Sequence, residues 1–149
     1  MIIEEHRDGY TLSSEKARLD VDSIHAFLSE RSYWAQGRSR ELVERTIETS
    51  LCFGIYAQQE LVAFARVVTD YATFGWVCDV FVLESHRGRG LGKWLIEAVV
   101  RHPELQGLKR LLLASRDAQG LYREYGGFAP LQAPERWMER LMQPPPAAS

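Results

Sequence analysis

A chain of 149 residues holds one domain with its own core and is too short for two of ordinary size. Its 46% hydrophobic and 26% charged content excludes a disordered chain. A formal net charge of −2 gives no footprint for nucleic acid and no polybasic anchor for a membrane surface.

In chain order, Gly9 to Ser13 predicts a short first strand. Asp20 or Asp22 is placed to cap a helix that carries Val21, Ile24, His25 and Leu28 on one face. Ser32 to Arg38, with Tyr33, Trp34 and Gly37, breaks that helix. A second short helix follows over Glu41 to Ile47, behind Ser39. Leu51 to Tyr56 and Leu61 to Thr69 are β-rich runs on either side of Gln58-Gln59-Glu60, a hairpin with a polar tip. Thr73 to Leu83 is a third such run. Gly90 to Val100 reads as a helix, because Leu91, Trp94, Leu95, Ala98 and Val99 recur at helical spacing. Leu108 to Ala114 predicts a strand covered on both faces. Ala118 to Tyr125 predicts a short helix, Phe128 to Leu131 a last strand, and Glu135 to Met142 a helical turn or two. Pro144-Pro145-Pro146 ends this order, so a single domain over 1–143 and a disordered tail over 144–149 are expected. The succession describes a mixed α/β fold with helices on both faces of one sheet.

Cys52 and Cys78 sit in apolar runs without metal-ligand spacing and are too few for a disulfide framework, so reduced thiols and no metal site are expected. No apolar stretch approaches the roughly 18 to 20 residues of a membrane span. Met1-Ile2-Ile3 runs at once into Glu4-Glu5, unlike a secretory signal. A cytoplasmic location is the resulting expectation.

Arg87-Gly88-Arg89-Gly90-Leu91-Gly92 stands between a β-rich run and an amphipathic helix. A helix start leaves backbone N–H groups unpaired at the positive end of the helix dipole, and glycines let that backbone approach a bulky anion. Arg87, Arg89 and Lys93 add charge suited to a diphosphate. A Walker A loop is excluded because Gly92-Lys93-Trp94 offers no hydroxyl to magnesium. The dinucleotide fingerprint is excluded because the third glycine is misplaced.

Arg87-x-x-Gly90-x-Gly92, preceded by Asp79-Val80-Phe81-Val82, resembles motif A of the GNAT N-acetyltransferase superfamily. Ala118-Gln119-Gly120-Leu121-Tyr122, leading to Gly127-Phe128, resembles its motif B, in the right order with a strand between. The resemblance covers Leu51 to Leu131 well. It departs at Tyr125-Gly126-Gly127-Phe128, where one residue more than usual precedes the phenylalanine.

This resemblance implies a mixed, mostly antiparallel sheet, splayed in a V between the strands near 73–83 and 108–114. It implies acetyl-coenzyme A as co-substrate, with direct attack by a primary amine, most simply that of a small molecule. Acetylation of a protein lysine or N-terminus, or a non-catalytic coenzyme A sensor, are the alternatives. Val80, Phe81 and Val82 would hold pantetheine through main-chain groups. Arg87, Gly88, Arg89, Gly90, Leu91, Gly92 and Lys93 would hold the pyrophosphate. Tyr122 matches the acid that serves the departing thiolate. Tyr33 and Trp34 either border the acceptor or plug the core beneath their loop. A homodimer is an open option, with Trp137 and Met138 as candidate contacts. Asp79 is anomalous within an apolar strand, since a buried carboxylate needs partners. It is either a proton acceptor or ammonium anchor, or a structural carboxylate satisfied by backbone N–H groups or an arginine.

Overall fold

The computed structural model describes residues 1–143; the expected tail at 144–149 lies outside the described residues. The chain opens with β1 (Glu4–Arg7) and β2 (Tyr10–Ser13), joined by Asp8 and Gly9 at φ 50° and 84°. Two successive left-handed residues suit the twist of a tight hairpin. Only β2 carries the hydrophobic signal of a strand. β1 is the mostly exposed Glu-Glu-His-Arg and is a strand because it pairs along β2 from Glu4↔Ser13 to Arg7↔Tyr10.

Asp20, rather than Asp22, caps α1 (Val21–Arg31), its carboxylate accepting the Ser23 N–H at 3.2 Å. Ser39 caps α2 (Arg40–Glu48) through the Leu42 N–H, also at 3.2 Å. The hairpin β3 (Leu51–Ala57) and β4 (Glu60–Thr69), then β5 (Phe74–Val82), α3 (Leu91–Arg101), β6 (Arg110–Leu112) and α4 (Gln119–Gly126) complete the order. The strands form one six-stranded sheet in sequence order, antiparallel throughout except for the parallel β5–β6 pair. The mixed, mostly antiparallel sheet is therefore as expected.

Two cores sandwich the sheet. On one face Leu91, Leu95 and Val99 of α3 pack with Phe53, Ile55 and Val67; on the other, α1 and α2 bring Ile24, Phe27 and Val43 to Phe64 and Phe81. The Phe27 and Phe81 rings stack with centroids 4.0 Å apart. Burial of each such side chain contributes roughly 1.5–3 kcal/mol, which is why the helices hold their places on the sheet.

Three boundaries differ from expectation. β6 is shorter than 108–114, because only Arg110, Leu111 and Leu112 find ladder partners, at Phe74, Gly75 and Trp76. Phe128–Leu131 is not a strand: Pro130 removes a donor from so short a segment, and no ladder forms along it. Glu135–Met142 is not helical beyond a 3-10 turn at Pro134–Arg136, since Met138 and Met142 are exposed and offer no buried face to hold a helix.

Candidate active site

The loop after β5 is fixed by local backbone chemistry. Gly88 and Gly90 both take φ 78°, a conformation that strains other residues. Gly90 is the N-cap of α3 and contributes no capping side chain; the first helical bond runs from the Trp94 N–H to the Gly90 carbonyl at 3.0 Å. The N–H groups of the first turn thus lack intrahelical partners and carry the partial positive charge of the helix end.

The arginines also anchor the loop. Arg87 Nε donates to the Val82 carbonyl at 3.0 Å. Arg89 turns back to β2, where Nη1 donates to the Tyr10 hydroxyl at 2.9 Å, and that hydroxyl lies 2.8 Å from His86 Nδ1.

β5 pairs with β6 only as far as Trp76, while its other edge stays on β4 to Val82. Beyond Trp76 the strands splay as expected, leaving main-chain groups of the distal half of β5 without a strand partner on that edge. A cleft of about 700 Å³ fills the gap, with α4 as its other wall. Val80, Phe81, Val82, Arg87, Gly88, Gly90, Leu91, Gly92 and Lys93 all line it, whereas Arg89 does not.

A second cavity, of about 500 Å³, lies beside the first. Tyr33, Trp34, Val80, Ala118 and Tyr122 line both. Tyr33 and Trp34 are each 40% exposed, so they wall the cavities instead of plugging the core. Their loop is clasped to the segment before α4: the Arg116 N–H donates to the Tyr33 hydroxyl at 3.1 Å, and the Arg116 guanidinium sits 3.7 Å from the Tyr33 ring centroid.

Tyr122 is nearly buried where the two spaces meet, and burial pushes its phenol up to about 12. The glycine pair after it divides two tasks. Gly126 ends α4 where a Cβ would come within 2.7 Å of Ile96 Cγ2, and Gly127 reverses the chain at φ 71° so that the Phe128 N–H donates to the Tyr122 carbonyl at 3.2 Å. The additional residue therefore lets α4 pack closely on α3 while the turn still closes on Tyr122.

Asp79 sits at a register shift in the β4–β5 ladder and takes φ 52°, a strained value for a residue with a side chain. The bulge delivers its carboxylate to three donors, each at 2.8 Å: Trp34 Nε1 to Oδ1, and Arg38 Nη1 and Arg66 Nε to Oδ2. Burial works to raise its pKa, but the Arg66 and Arg38 guanidiniums outweigh that and hold the carboxyl below the ordinary aspartate value. Arg38 and Arg66 did not emerge from the sequence reading. Arg66 was recoverable in principle, as a charge inside the apolar run of β4 that demands the same explanation as Asp79.

Cys78 and Cys52 are free thiols pushed up by burial to about 11 and about 12, so neither is a thiolate at neutral pH. Among the described residues no group of three or more His, Cys, Asp and Glu side chains is placed to hold a metal ion, and no helix is long and apolar enough to cross a membrane.

Residues 21–128 match the acetyltransferase (GNAT) family. The chain is 30% identical to an acetyltransferase-named protein of Gibberella zeae over 81% of this chain and 85% of that one. A solved GNAT-family structure from Xanthomonas campestris pv. campestris is 47% identical and covers 92% of this chain and 96% of its own, with a TM-score of 0.87. A GNAT acetyltransferase from Elizabethkingia anophelis, solved with acetyl-coenzyme A bound, shares the fold at 17% identity and a TM-score of 0.59, over 80% of this chain and 76% of that one. With its two motifs placed on the loop before α3 and on α4, the chain belongs to the GNAT family of acetyltransferases.

Proposed function

We propose that this acetyltransferase passes the acetyl group of acetyl-coenzyme A to a primary amine of a small molecule, by direct attack in a ternary complex. The observation that carries this reading is the meeting of two cavities at Tyr122, one bounded by the glycine loop and the other by aromatic and charged side chains. The residues fit the donor. Val80, Phe81 and Val82 lie on the stretch of β5 whose outer edge has no strand partner. Main-chain groups there can meet the amides of pantetheine, beside the Val82 carbonyl that Arg87 holds. Gly88 to Lys93 offer helix-start N–H groups to the pyrophosphate, with Arg87 and Lys93 at the rim. In this reading Arg89 contributes through the loop it ties to Tyr10.

Bound acetyl-coenzyme A supplies an activated thioester; the chain aligns it with the amine, excludes water and assists the departing sulfur. The Tyr122 phenol is protonated at neutral pH, and burial raises its pKa further. Its hydroxyl is thus placed to donate to the sulfur as charge develops there, while the proton the amine loses on acylation balances the one the sulfur gains. Asp79 acts as a positioning residue: three donors occupy its two oxygens, and it fixes Trp34 and Arg38 in the wall of the second cavity. At about 500 Å³ that cavity has the size of a small-molecule site, which supports a small acceptor over a protein one. The two free thiols favour a reducing compartment, the cytoplasm.

The test is coenzyme A release measured with polyamines, amino acids, aminoglycosides, arylalkylamines and lysine-bearing peptides. Turnover of a small amine supports the reading, and turnover of peptides alone would sink it. Tyr122→Phe should lower turnover by about tenfold or more while leaving acetyl-coenzyme A affinity unchanged. Unchanged turnover would remove Tyr122 from the chemistry.

A further inference from the structure

The second cavity is unevenly charged. Arg38 and Arg66, with side chains 18% and 11% exposed, share a single carboxylate, that of Asp79 at 2%. A guanidinium has five N–H donors. Arg38 spends one of them, at Nη1, on Asp79, and its side chain has no other protein partner among the described residues. Arg66 spends Nε on Asp79 and Nη1 on the Ser50 hydroxyl at 3.0 Å. A third guanidinium, Arg116, stands at the mouth. Its nearest carboxylate, Asp117, is 4.0 Å away with a 67% exposed side chain, and so is largely screened by water.

The inner part of the cavity therefore holds two cations against one anion, and that anion already accepts three hydrogen bonds. Asp79 is too buried to offer a face to an ammonium, and the other carboxylate that lines the cavity, Asp117, is exposed beside Arg116. Trp34, Tyr33 and Trp76 supply flat apolar surface beside the arginines.

We infer that the acceptor carries an anionic group, a carboxylate or a phosphate, on the same small molecule as its amine, and that the unspent N–H donors of Arg38 receive that group. This rests on the acetyltransferase reading above. It sets the acceptor's polarity: the anion goes inward to Arg38, a flat or apolar body lies along Trp34, and the amine points to Tyr122, where the cavities join. Planar guanidinium donors suit both anions, and a partly desolvated pair of this kind gives roughly 1.5–3 kcal/mol, about ten- to a hundredfold in affinity. Molecules that are cationic throughout, such as polyamines and aminoglycosides, meet like charge and are poor acceptors.

The experiment compares matched pairs of amines on the wild-type protein: an aromatic amino acid with its decarboxylated arylalkylamine, and an aminoalkyl phosphate with the corresponding amino alcohol. The acidic member should show at least about tenfold higher kcat/KM in one pair, and which pair responds identifies the anion. Arg38→Gln should raise KM for that acceptor about tenfold or more with kcat little changed and acetyl-coenzyme A affinity intact, and Arg38→Lys should recover part of the loss. Equal or better use of the uncharged or cationic members would overturn the inference while leaving acetyl transfer standing. Calorimetry on coenzyme A-saturated protein separates the two readings further. Binding of an acidic member that Arg38→Gln abolishes, without turnover of any amine, would uphold the anion site and sink the transferase reading. Neither binding nor turnover would overturn both.

Discussion

Asp79 is the residue whose meaning depends most on its neighbours. In the sequence it is a carboxylate inside an apolar strand, equally consistent with a base, an ammonium anchor or a structural group. Its partners are Trp34 and Arg38, 45 and 41 positions away, and Arg66, 13 away, and a strand bulge brings all of them to one point. No periodicity encodes such a meeting. Removing the charge leaves two partly buried guanidiniums uncompensated, so Asp79→Asn should destabilise the fold by about 3 kcal/mol, read from denaturant midpoints. A positioning role also predicts a raised acceptor KM with the pH profile of kcat retained. Loss of the ionisation that governs the acidic limb would instead make Asp79 the base. Tyr122, by contrast, stands out in the sequence through its motif alone, and the structure places it where the two cavities meet.

At the scale of elements, the start of α3 is the part most fully written in local sequence. Glycine at an αL cap and apolar residues at helical spacing are short-range properties, so the loop and helix were readable together. Gly90→Ala tests the dihedral: with φ at 78° and open space around the added Cβ, the cost is backbone strain, about 1 kcal/mol, not a clash. The same variant should weaken acetyl-coenzyme A binding by calorimetry, because the first-turn N–H groups lose their aim. Binding as tight as wild type would detach the loop from the donor. The elements that misled are those without local signal. β1 is polar and exists only through its pairing with β2. Phe128–Leu131 has strand-like composition, yet Pro130 leaves it without a ladder.

At the scale of the whole molecule, pH reaches stability through buried titratable groups. His102 is fully buried, its Nδ1 accepts the Glu104 N–H at 3.1 Å, and its ring stands edge-on to Phe53. Burial holds its pKa below the ordinary histidine value, so the unfolded chain binds the proton more readily. Stability is full above about pH 6.5 and falls as pH drops through the folded value. Asp79, also depressed, adds a second loss that begins only below about pH 4. Thermal melts across pH should show two declines, and His102→Asn should remove the upper one. A single decline near pH 4 in the wild-type protein would contradict this.

The sequence by itself determined the family, the two-faced sheet and the loop before α3, because hydrophobic spacing, glycine dihedrals and helix starts are set by residues close together in the chain. Only the tertiary structure decided what lines the second cavity. The charge of that cavity depends on arginines from the loop after α1 and from β4 converging on a bulge in β5, and such an encounter is fixed by register and packing, not by neighbours in sequence. The loop from Arg87 to Gly92 takes its shape from local backbone, whereas Arg38, Arg66 and Asp79 come together in the second cavity only through the fold.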